Sequence, residues 1–192
     1  MRTLRSLGVF MAAALMSACS SAPVTAYRLA SEPGPVEQTA PLTISVRRIS
    51  IPSYLDQGSI PRPVNRYVAG SFPNAIWAGP FADTLQTTMV EDLAQRLKNA
   101  TVIDSNGSIE TPSDLQIEIN VLRFDPTATG DVELTVQAAL NAGADHRLLG
   151  LQTIRRTLPA GATASDIVAA MSALWASAAD QIAASVVSAR AT

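Results

Sequence analysis

Residues that usually carry chemistry are scarce in this chain. It holds one cysteine, Cys19, so no disulfide can form within it. It holds one histidine, His146. With no second histidine and no other cysteine, a structural zinc site lacks ligands. A Ser-His-Asp triad has only His146 to use, and no Gly-x-Ser-x-Gly elbow supplies its serine. His146 stands between Asp145 and Arg147 and reads as a solvated turn residue. The 10 glycines are scattered and match neither phosphate-cradling pattern, Gly-x-Gly-x-x-Gly or Gly-x-x-x-x-Gly-Lys. Asp125 and Asp131 flank "PTATG", which is a turn signal before it is an acid/base pair. Lys98 is the only lysine and the formal charge is −2, so the chain has no electrostatic footprint for nucleic acid. These shortages favour a binding or assembly component over an enzyme. No catalytic residue, metal ligand or cofactor site is assigned.

What is present begins at the N-terminus. Arg2 and Arg5 give a positive start, Leu7 to Met16 is apolar, and Ser17 and Ala18 are small. That is the layout of a secretion signal. The apolar run is far short of the ~20 residues that span a bilayer. Met16-Ser17-Ala18-Cys19 resembles a lipobox, with methionine where leucine is usual. The resemblance implies that residues 1–18 are a signal peptide and that Cys19 is acylated and becomes the first residue of the mature chain. Losing Arg2 and Arg5 takes the charge from −2 to −4. Ser20 stands where an aspartate retains Gram-negative lipoproteins in the inner membrane, so the resemblance points to the outer membrane, facing the periplasm.

Residues 19–40 are rich in serine, proline, alanine and threonine and show no apolar period, so they read as a flexible lipidated tether, interrupted by Tyr27 and Leu29, which pair onto the domain edge. The folded domain spans 41–192. Leu42, Ile44 and Val46 alternate with polar residues and predict a strand that ends by Pro52. Around Asn65 two short strand-like pieces predict a hairpin, which Pro61 and Pro63 confine to an edge. Pro80 opens a helix. Its stripe is Phe81, Leu85, Met89, Leu93 and Leu97, with Asp92 and Arg96 one turn apart on the outer side and Asn99 as its cap. "ATVID" reads as a short buried strand. "SDLQIEINVLRF" is a strand whose apolar parity slips at Leu122, predicting a bulge or a strand covered on both faces. "DVELTVQAAL" and "HRLLGLQTIRRTL" form a hairpin, and Thr163 or Ser165 caps a long final helix. The order predicts a single α/β (α+β) domain, with a mixed, largely antiparallel sheet packed against two long helices.

"ISIPSYLDQGSIPRPVNRYV" and "IWAGPFADTLQTTMVEDLAQRL", with the early "YRL" and the closing helix, resemble the PqiC/YmbA family of ABC-type transport auxiliary lipoproteins. Gly58, Ser59 and Gly79 depart from the charged residues common there. The resemblance implies an outer-membrane-anchored, non-catalytic auxiliary subunit of an MCE/ABC-type intermembrane lipid transport system. Its partners would be an MCE-domain protein of an ABC lipid transporter and the membrane, through the N-terminal lipid, and a homo-oligomeric ring is one assembly it allows. Tyr54, Leu55, Arg62, Arg66, Tyr67 and Trp77 are the candidate docking residues, because aromatics and arginine are enriched at interfaces. For Trp77 the competing role is packing under the first helix, and for Tyr54 it is capping the core. Another class of function, an assembly factor or chaperone for an outer-membrane complex, stays open on sequence alone.

Overall fold

The computed structural model describes residues 22–65, 67–109 and 111–190. Residues 1–18, expected to be a signal peptide, and Cys19 and Arg66 lie outside them.

The strands form two sheets. β1 (Thr25–Tyr27), β3 (Ser59–Asn65) and β4 (Val68–Trp77) make a three-stranded sheet in the order β1-β4-β3. A five-stranded sheet has the order β5-β2-β6-β7-β8, from β2 (Glu37–Val46), β5 (Leu97–Asp104), β6 (Leu115–Pro126), β7 (Asp131–Ala142) and β8 (Leu148–Pro159). In the larger sheet β2 runs parallel to both β5 and β6, while β6, β7 and β8 are antiparallel, so it is mixed as expected. Helices α1 (Phe81–Arg96) and α2 (Ala164–Arg190) complete the fold.

The parity slip in β6 is a bulge between Val121 and Arg123. It turns Leu115, Ile117, Ile119 and Val121 inward, then hands the core side to Phe124 and leaves Leu122 exposed. α2 is capped by Thr163, not Ser165. The Thr163 hydroxyl accepts from the Asp166 amide at 3.2 Å, and the Asp166 carboxylate accepts from the Thr163 amide at 3.0 Å, a reciprocal cap. α2 is apolar and long enough to cross a membrane, yet 67% of its apolar window is buried inside this fold.

Three expectations need correction. Asp92 and Arg96 are not on an outer face: they are 0% and 1% exposed. α1 is covered on one side by the sheet and on the other by α2 and the N-terminal segment, so an i,i+4 ion pair that reads as solvated is sealed inside. The first helix also stops at Arg96. Leu97 is buried but opens β5, and Asn99 sits within β5 at φ 72° instead of capping the helix. β5 is accordingly an edge strand, longer than expected and only partly buried.

The third correction is the tether. From Thr25 onward it is a packed strap. Leu29 is buried, the Ala30 amide donates to Ser172 Oγ at 3.1 Å, and Ser31 Oγ and the Glu32 amide donate to Asp92 Oδ1 at 2.7 and 3.1 Å. β2 then begins at Glu37. Polar anchors to a buried carboxylate hold this segment, which is why it shows no apolar period.

Candidate functional site

A cleft of about 620 Å³ opens between the β3–β4 hairpin and the β6–β7 hairpin. The fold brings Tyr54, Leu55, Arg62, Tyr67 and Trp77 to its lining. These come from two places, a short turn ahead of β3 and the β3–β4 hairpin. A 3-10 turn over Ser53–Leu55, closed by the Leu55 amide on the Pro52 carbonyl at 3.0 Å, pushes Leu55 into the core and leaves Tyr54 exposed at the cleft wall. Gly58 follows at φ 72°, a left-handed conformation that favours glycine, and its carbonyl accepts from the Trp77 amide at 2.9 Å. The departure noted at Gly58 therefore has a backbone cause.

Trp77 is buried, and it stacks on Phe81 with ring centroids 4.5 Å apart. Phe81 meets Phe124 at 6.1 Å and Phe124 meets Trp175 at 5.8 Å. Four rings thus run from the cleft floor into the core. Trp175 Nε1 donates to the Leu85 carbonyl at 3.1 Å and closes the series. Trp77 packs against the first residue of α1 and at the same time floors the cleft.

Sequence reasoning missed the charged wall. Arg123 Nε donates to Asp125 at 2.9 Å, and Arg123 also pairs with Glu133 on the neighbouring strand. The signal was available: Arg123 and Asp125 share one face of β6, and the register sets Asp125 opposite Glu133. Tyr54 faces this group. Burial first, then the negative Asp125, push its phenol above the ordinary value, so it stays a neutral hydrogen-bonding group at neutral pH.

His146 lies elsewhere, in the exposed β7–β8 turn at φ 53°, with Nδ1 3.1 Å from Gln116 Oε1. Among the described residues no three His, Cys, Asp or Glu side chains gather as a metal site. The cleft is thus lined by aromatic rings on one side and by the Arg123–Asp125–Glu133 charges on the other.

The architecture is an α+β domain in which two helices cover a mixed sheet and a small second sheet carries the cleft. The chain belongs to the family of ABC-type transport auxiliary lipoprotein components, whose model matches residues 27–183. Protein XCC0632 from Xanthomonas campestris has the same fold, with a TM-score of 0.68 at 19% identity, over 84% of this chain and 93% of that one. An uncharacterized protein superposes with a TM-score of 0.72 at 18% identity, over 86% of this chain and 99% of that one. Comparison with curated protein sequences found no match.

Proposed function

We propose that this protein is a non-catalytic subunit, anchored in the outer membrane through acylated Cys19, that docks an MCE-domain protein of an ABC-type lipid transporter through the cleft. One observation carries the reading: five of the residues chosen from the sequence as docking candidates line a single open groove. Family membership supplies the transport context. Accessible tyrosine and arginine side chains over a rigid floor are the groups that a protein partner buries as hot spots. Tyr54 is the proposed contact at the wall, Trp77 and Leu55 the rigid floor, and Arg62 the rim charge.

The test is crosslinking in cells. The full-length protein is produced in a Gram-negative host with a photoreactive residue replacing Tyr54, and separately replacing Ser105 in the turn after β5. Capture of an MCE-domain protein from the outer-membrane fraction at Tyr54 and not at Ser105, lost in a Cys19→Ala background, is the expected result. Equal capture at both positions, or no such protein at either, overturns it.

A further inference from the structure

We propose that the tip of the β3–β4 hairpin is a second membrane contact, a foot that rests on the lipid surface beside the acyl anchor. This rests on the acylation of Cys19 in the reading above.

The argument is one of reach and direction. β1 pairs parallel to β4, with Thr25 beside Ala75 and Tyr27 beside Trp77. Moving back along β1 toward the N-terminus therefore means moving along β4 toward its own start, which is the hairpin tip at Val68. Cys19 is six residues before Thr25, and an extended chain covers at most ~3.3–3.6 Å per residue, so the link reaches about 20 Å. Val68 is seven residues before Ala75, and β-strand rise sets that arm at about 23 Å or less. A bulge shortens it, because β4 carries extra residues against β3 between Ser71 and Ile76, with Asn74 at φ 57°. At full extension the link is as long as the arm, so a bilayer that holds the acyl chains is within reach of the tip.

The tip is dressed for that surface. Tyr67 is 85% exposed and Val68 50%, with Val64 and, on the link itself, Val24 also exposed. An aromatic ring with a polar end, flanked by branched aliphatics, suits the headgroup boundary. Arg62 stands on β3 and residues 59–68 hold no carboxylate, which complements an anionic leaflet. Among the described residues, Val64, Tyr67 and Val68 are exposed large side chains gathered at one end of the small sheet, the kind of cluster that marks a contact site.

Because Cys19 is the only thiol and is acylated in the mature protein, a cysteine introduced elsewhere is the single labelling site. Full-length Val68→Cys and Val64→Cys, and Asp145→Cys in the β7–β8 turn, are labelled with an environment-sensitive fluorophore. Asp145 lies beyond the other end of the 12-residue β7, whose near end joins the turn that lines the cleft with Tyr67 and Val68. The proteins are placed on vesicles of phosphatidylethanolamine and phosphatidylglycerol with or without a headgroup-level quencher, and bound protein is isolated by flotation.

The expected result is a blue shift and loss of most emission at Val68 and Val64, with emission at Asp145 unchanged. Flotation with an aqueous, unquenched tip overturns the foot and leaves the anchor standing. Flotation that persists in Cys19→Ala, or fails in the wild type, overturns the anchor and the placement derived from it. A tip label already shielded without vesicles shows that another copy of the chain covers it, which also overturns the proposal.

Discussion

Asp92 is a buried carboxylate with unequal oxygens. Oδ1 receives Ser31, Glu32 and Arg96, while Oδ2 has no partner among the described residues. Arg96 is engaged through all three of its nitrogens: it reaches Asp180 at 2.5 Å, the carbonyls of Glu32 and Ala176 at 3.1 and 3.3 Å, and Asp92 itself. Burial outweighs the lowering influence of Ser31 and Arg96 and raises Asp92 above the ordinary carboxylate value of 3.8. The folded state then holds a proton more tightly than the unfolded chain. That stabilisation is complete below the ordinary value and is lost as pH rises through the raised one. Asp166 acts in the opposite sense. The Thr163 hydroxyl and then its amide hold Asp166 below the ordinary value, so its contribution is present at higher pH and lost as pH falls. In urea unfolding followed across acid to neutral pH, Asp92→Asn is expected to remove the decline on the rising side and leave the acid-side loss in place. An unchanged profile would show that Asp92 binds its proton equally well in the folded and unfolded chains.

The strap over residues 29–36 is an element without regular structure, and Gly34 is its tightest point. A Cβ there would overlap the Arg96 guanidinium and the Asp180 carboxylate. Gly34→Val must push the strap off the Arg96–Asp180 pair while the sheet hydrogen bonds remain. Amide exchange is expected to accelerate at Ala30 and Glu32, whose amides reach Ser172 and Asp92, with β6 and β7 amides still protected. Global loss of protection would mean that the strap is part of the cooperative core. This element was read from sequence as a tether because its anchors are a serine hydroxyl, two amides and a glycine, none of which leaves a periodic trace. The hairpins, the bulge in β6 and both helices were legible, because alternation, a parity slip and an i,i+4 stripe each follow from which side a residue turns to the core.

At the scale of the molecule the two sheets share one core, which runs from Ile60, Ala75 and Trp77 of the small sheet to Phe124 of the large one and Trp175 of α2. Phe124 is the ring through which Trp175 connects to Phe81 and Trp77. Phe124→Ala is expected to destabilise the fold by about 3–5 kcal/mol through lost contacts and the cavity left behind. Tryptophan fluorescence and far-ultraviolet dichroism in urea should still report one coincident transition. Separate transitions would show that the small sheet, and the cleft with it, unfolds alone.

The sequence by itself determined the order and type of the elements from Leu42 onward, the shortage of catalytic groups and the residues worth testing for docking. Those follow from local rules: which side chains alternate, which residues cap, which chemistry a residue can carry. The tertiary structure decided what depends on neighbours distant in the chain. It separated the strands into two sheets, sealed Asp92 and Arg96 under the strap, and joined Tyr54, Arg62, Tyr67 and Trp77 to the Arg123 wall around one cleft. An ion pair one turn apart reads the same whether water or another helix covers it. Only the packing of α2 and residues 29–36 over α1 chooses between them.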